Sequence, residues 1–177
     1  MKGFTLRRLG GSDLRVLEKI AFEIFYPSSL VAREVMQSYR LYFKKGHGNR
    51  KIEKSVDDWI SIEYYVLVED KTKRIVGITG LYRINWGSPD SFWLGWFGVD
   101  KAFRGRGLGT ELLAMTERIA KERGAKYFCI ESSDFPANQH AAKLYTEMDY
   151  KKFGPIPNYW PGFRNERYGL VIFIKKL

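Results

Sequence analysis

Three glycines alternate with larger residues in "RGRGLG", positions 104–109. An apolar run, "SFWLGWFGV", precedes them, and a helical pattern follows. A strand, a glycine turn and a helix start in that order build an anion site. The first N–H groups of the helix point outward and its dipole adds positive potential. Glycines let a phosphate reach the backbone, and Arg104 and Arg106 add charge-assisted donors. A pyrophosphate is the natural guest. The P-loop pattern GxxxxGK[ST] is absent. The dinucleotide pattern GxGxxG fails as well, because the glycines run G-x-G-x-G.

The elements around this stretch predict an α+β domain on one central sheet. Residues 4–8 read as a short strand. Leu14, Leu17, Ile20, Ala21 and Ile24 then recur at helical spacing, with Ser12 as the N-cap candidate. "YPSS" breaks that helix, and a second covers about 30–44. A basic loop, "KKGHGNRK", leads to strands over 63–70, 74–85 and 91–99, which form an antiparallel meander. A helix over about 110–123 carries Leu112, Met115, Ile119 and Ala120, and Gly124 is its C′ residue. "KYFCIE" (126–131) is a buried strand. A helix over 139–148 follows, with Asn138 as cap. Strands at 150–154 and 167–175 close the chain, with the aromatic "PNYWPGF" between them. The 177 residues, 45 % hydrophobic, suffice for one domain, residues 1–177.

Composition narrows the function classes. No run of about 18 apolar residues exists to span a membrane, and the first residues lack a signal-peptide pattern. Cys129 is the single cysteine, which excludes an internal disulfide and fits a reducing cytoplasm. One cysteine and two histidines, His47 and His140, make a poor metal set. The formal charge of +10 suits nucleic acid or a polyanionic small ligand and disfavours a polyamine. No RNP, KH or helix-turn-helix pattern supports a nucleic-acid module, which stays the alternative of a different class.

"RGRGLG" resembles the [R/Q]-x-x-G-x-[G/A] signature of the GNAT superfamily of acyl-CoA-dependent N-acyltransferases. "SSDFPANQHAAKLYTEMDYKKFG" is similar to that family's second motif, N…A…LY followed by a glycine-aromatic pair. The element order resembles the family over nearly the whole chain. One departure is Asp149-Tyr150, where relatives have Gly-Phe; aspartate is less suited to a left-handed turn.

The resemblance implies a GNAT-like mixed sheet of six to seven strands with helices on both faces. It opens between the third meander strand and "KYFCIE". Acetyl-CoA is the implied co-substrate, with no metal. Its pyrophosphate would lie on the backbone N–H groups of Arg104, Gly105, Arg106 and Gly107, and of Leu108, Gly109 and Thr110. Its pantetheine arm would pair with the edge at Phe97, Gly98 and Val99. Asn138 matches the family's asparagine on that arm, or is only an N-cap. The glycines would then admit a phosphate and the arginines neutralise it.

Acetyl transfer to an amine needs a base, an oxyanion donor and an acid for the leaving thiolate. Tyr145 matches the tyrosine of "LY" and is the expected acid. Glu131, ending a strand beside the cleft, is the expected base, acting through water; Asp134 and Glu63 are second and third choices. Tyr159 and Trp160 resemble the aromatic pair that walls the peptide site of N-terminal acetyltransferases. Tyr26, in "FYPSS", is expected on the opposite wall. The acceptor is read as a peptide or protein amino terminus, or alternatively a small amine such as an amino acid, polyamine or antibiotic. A homodimer is a further expectation, since relatives often form one.

Overall fold

The computed structural model describes residues 2–26, 28–44, 59–162 and 165–177. The basic loop with His47, and Phe163 and Arg164 of the last turn, lie outside the described residues. Eight strands and four α-helices follow one another: β1 Phe4–Arg8, α1 Leu14–Ile24, α2 Ser29–Lys44, β2 Trp59–Glu69, β3 Ile75–Ile84 and β4 Ser91–Leu94. Then come β5 Gly98–Val99, α3 Leu108–Glu122, β6 Tyr127–Ser133, α4 Gln139–Glu147, β7 Lys151–Pro161 and β8 Arg167–Lys176.

One sheet carries them in the order β1-β2-β3-β4-β6-β8-β7, with β5 also paired to β3. The β1–β4 half is antiparallel, as the meander predicts. β4 and β6 are parallel. A parallel pair needs a crossover, and α3 supplies it. Helices α1 and α2 cover one face, where Leu17, Ile20, Ala21, Val35 and Tyr39 meet Tyr64, Val66 and Ile78. On the other face Leu113, Ala120 and Tyr145 join Phe128, Ile130 and Phe173, while Leu108 and Leu112 pack on Leu67, Val76 and Val99.

Several boundaries differ from the sequence reading. The apolar run 91–99 is not one strand. Gly95 donates to the Gly80 carbonyl at 2.8 Å, and the chain kinks there before β5. A Cβ at Gly95 would lie 3.1 Å from the Gly80 Cα, so the kink needs glycine. "PNYWP" is not a loop but the end of β7, which runs to Pro161 through two register shifts. Pro155, Pro157 and Pro161 leave this outermost strand short of N–H groups. Ser12 does not cap α1: it sits in a 3-10 turn, Gly11–Asp13, whose Asp13 accepts from the Gly10 N–H at 2.8 Å and from Arg7. The stripe of α3 is Leu112, Leu113, Thr116 and Ala120, with Met115 only partly covered. Gly124 ends α3 at φ +89°, as a C′ glycine should.

Candidate active site

The site begins where two parallel strands part. β4 and β6 stay paired through Trp93 and Cys129. Beyond that, β6 continues along β8 to Ser133, while the other chain bends at Gly95 into β5. A wedge-shaped gap opens between residues 95–99 and 130–133. Gly77 pairs with Val99 and Ile78 with Gly98, and the Asp100 N–H donates to the Val76 carbonyl at 2.8 Å. Alternation along a strand then turns the backbone of Gly98 toward β3 and that of Val99 toward the gap. Gly98 is therefore not a free edge residue. It is glycine because α1 crosses it: an added Cβ would collide with Ile24.

The glycine loop lies past the open end of β5. Gly105 and Gly107 both hold φ +75°, a conformation that favours glycine. An added Cβ at either would meet nothing within 4 Å, so the space over them is free. Gly107 precedes α3 and has no side chain to cap it. The first helical bond runs from the Glu111 N–H to the Gly107 carbonyl at 3.1 Å. The amides of Leu108, Gly109 and Thr110 thus have no partner within the helix. Outward N–H groups, open space above glycine and a helix dipole fit a pyrophosphate.

The two loop arginines do not share one task. Arg104, though exposed, reaches back to the protein backbone: Nε donates to the Val99 carbonyl at 2.9 Å and Nη2 to the Ile24 carbonyl at 2.7 Å. This corrects the expectation that its charge faces a phosphate. Arg106 is exposed and lies over the Phe103 ring at 5.3 Å. Its Nη2 makes one long hydrogen bond, 3.4 Å to the Ala102 carbonyl.

Glu131 and Tyr145 approach the gap from opposite faces of the sheet. Glu131 pairs with Ile172, on the face that carries Tyr82, Trp93, Cys129 and Ile174. Its carboxyl is open to water, yet the surrounding protein raises its pKa by desolvation. Tyr145 comes from α4 on the other face and is 5 % exposed. Its ring packs on Phe173 at 5.1 Å and on Phe97, in the kink, at 6.4 Å. Burial pushes the phenol pKa well up, so it stays protonated and can donate. Its hydroxyl makes no hydrogen bond among the described residues.

The other carboxylates are occupied. Glu63 is buried and accepts from Arg8 at 2.9 Å, Arg123 at 3.2 Å and the Tyr65 hydroxyl at 2.5 Å. It ties β1, β2 and the C-terminal end of α3 together. Asp134 accepts from the Gly169 N–H at 2.7 Å and staples the end of the β6–β8 ladder. Asn138 is already helical at φ −86°, ψ −7° and caps nothing; its Nδ2 donates to Ser133 Oγ at 2.9 Å.

Two walls flank the open end. Phe25 lies 6.0 Å from Trp96, which sets the exposed Tyr26 and the α1–α2 connection beside the kink. The Phe135 and Tyr168 rings, 4.8 Å apart, set the β7–β8 hairpin beside the β6–α4 loop. The Tyr159 and Trp160 rings meet edge to face there at 5.0 Å. Phe25, Trp96 and Trp93 were missed in the sequence, where they look like any buried aromatic. The Trp93 indole N–H is buried at the fork without a partner among the described residues.

Residues 32–150 match the profile of the acetyltransferase (GNAT) family. The chain belongs to the GNAT family. A curated relative, the blasticidin-S acetyltransferase of Streptomyces morookaense, is 33 % identical over 86 residues, 49 % of this chain. The chain spans 25 % and 57 % of the lengths of the two curated relatives it matches. Solved GNAT structures share the fold at low identity. A family protein from Desulfovibrio desulfuricans superposes with a TM-score of 0.76 at 13 % identity, covering 98 % of both chains. The ribosomal-protein-S18-alanine N-acetyltransferase of Escherichia coli gives 0.68 at 17 %, covering 98 % of this chain and 93 % of that one. The spermidine N-acetyltransferase of Vibrio cholerae, solved with CoA and spermine, gives 0.71 at 14 %, covering 99 % and 96 %.

Proposed function

We propose that this GNAT protein moves an acetyl group from acetyl-CoA to a primary amine in a single ternary complex. The observation that carries the reading is the wedge between β5 and β6. It has a free strand edge, an uncapped helix start at one end, and Glu131 and Tyr145 on its two faces. Acetyl-CoA supplies the activated thioester carbonyl.

The chain's own groups do the rest. The amides of Leu108, Gly109 and Thr110 bind the pyrophosphate, with Arg106 beside them. The Val99 N–H and the backbone at Phe97 hold the extended arm as an added strand would. Glu131 accepts the ammonium proton through water, which leaves a neutral nitrogen to attack the carbonyl carbon. As the carbon–nitrogen bond forms the carbonyl oxygen takes the charge. When the carbonyl re-forms the carbon–sulfur bond breaks, Tyr145 Oη gives its proton to the departing sulfur, and the second proton leaves the acylated nitrogen and returns to Tyr145. A backbone N–H at the edge donates to the carbonyl oxygen.

The acceptor reading is a peptide or protein amino terminus, entering over Glu131 between Tyr26 and the Tyr159–Trp160 hairpin. The relative that acts on blasticidin-S favours a small amine as the second reading. One assay separates them: CoA-thiol release from acetyl-CoA against short peptides, amino acids, polyamines and antibiotic amines. Peptide turnover that varies with the first residue supports the first reading. Turnover on small amines alone replaces it with the second. No thiol release with any amine removes the enzyme reading.

A further inference from the structure

Arg104 opens the family signature and Arg106 falls on one of its variable positions; the structure gives the two different partners. Arg104 spans two backbone carbonyls with Nε and Nη2. One belongs to Val99, at the free edge; the other to Ile24, in the last turn of α1, 80 positions away. A guanidinium presents these donors in a fixed plane, so the two carbonyls are held in one geometry. Cations also suit the carbonyl end of a helix. The same junction carries the contact that requires glycine at 98 and the Phe25–Trp96 packing.

We propose that Arg104 is a positioning residue rather than a phosphate ligand. It withholds the Val99 carbonyl from the free edge and fixes the substrate-side end of α1 against it. An extended arm on this edge meets the Val99 N–H but finds its carbonyl taken, so it seats in one register. The reacting carbonyl then lies at a fixed height between Glu131 and Tyr145. The same clamp sets Phe25 and Tyr26 beside that point. Arg106 has no acidic partner among the described residues and keeps its charge for a phosphate. Arg74, the other cation near Phe103, is held by Asp100 at 2.5 Å. This inference rests on the acetyltransferase reading.

The test is calorimetric titration with CoA at low and high salt, with kcat and KM for acetyl-CoA on the best amine. Arg104→Met is expected to bind CoA within about threefold of wild type, with the same response to salt, while kcat falls about tenfold or more. Arg104→Lys keeps the charge but cannot reach both carbonyls, so its kcat stays low. Arg106→Met is expected to bind CoA about tenfold more weakly and to respond less to salt. A tenfold loss of CoA affinity with a weaker salt response in Arg104→Met overturns the assignment. So does full activity in Arg104→Lys, which stands as the test if the Met variant does not fold. Failure of the wild type to bind CoA removes the enzyme reading and this inference together; binding by wild type with either contrary result removes the inference alone.

Discussion

At the residue scale the proposed chemistry rests on two groups, Tyr145 and Glu131, whose surroundings both raise their pKa values. Tyr145→Phe deletes a hydroxyl that holds nothing else in place. Turnover is expected to fall about 10²-fold or more, while CoA affinity and Tm stay close to wild type. Stopped-turnover and melting measurements check both halves, and unchanged turnover takes Tyr145 out of the mechanism. Glu131, though exposed, has a raised pKa because the protein around it partly desolvates the charged form. Its charge therefore weakens the fold at pH values above that raised pKa, and the effect disappears below the ordinary carboxylate value. Glu131→Gln is expected to melt higher than wild type at pH 7 and equally at low pH, while losing the acidic limb of the pH–kcat profile. A gain in stability with a loss of rate is the mark of a group kept for function.

The residue types at these two positions were legible from the second motif and the strand end. The duty of Arg104 was not. Its partners include a carbonyl contributed by α1, and no local pattern announces a non-local backbone acceptor. The ties of Glu63 were hidden for the same reason, since its three donors come from β1, β2 and the C-terminal end of α3. Glu63→Ala is expected to cost about 2 kcal/mol of stability, with kcat per folded molecule unchanged.

At the scale of elements, helices and most strands followed from periodicity, and the errors cluster where backbone geometry overrides pattern. "SFWLGWFGV" is apolar throughout, so nothing marks Gly95 as a kink until Gly80 is seen against it. β7 contains three prolines, which read as loop. It is a strand all the same, because an outermost strand needs a partner on one side only. Asp149 adopts φ +66° where α4 turns into β7, as its place in the motif implies. Asp149→Gly is expected to raise stability by about 0.5–1 kcal/mol, read as a higher denaturation midpoint. Tyr150, buried next to it, donates to Glu117 at 2.7 Å, and Lys175 joins that carboxylate at 3.0 Å. The turn therefore has an anchored neighbour, and relieving its strain does not loosen α4.

For the whole molecule the splayed sheet couples ligand binding to folding. The wedge draws on β5, β6, α1 and α3, so a ligand filling it favours the folded state alone. CoA at a hundred times its Kd is expected to add about 2.7 kcal/mol, checked as a rise in Tm that grows with CoA concentration. A flat Tm separates the fold from the proposed cofactor. The sheet ends differently at its two sides. β1 is short, and β7 is bent twice and interrupted by Pro155, Pro157 and Pro161. The proline-interrupted rim at β7 is poor in donors and a weak template for a neighbour. On the β7 side crowded copies meet a border poor in donors, while an interior strand edge stays open at Val99. The chain has, in effect, reserved its adhesive seam for a guest.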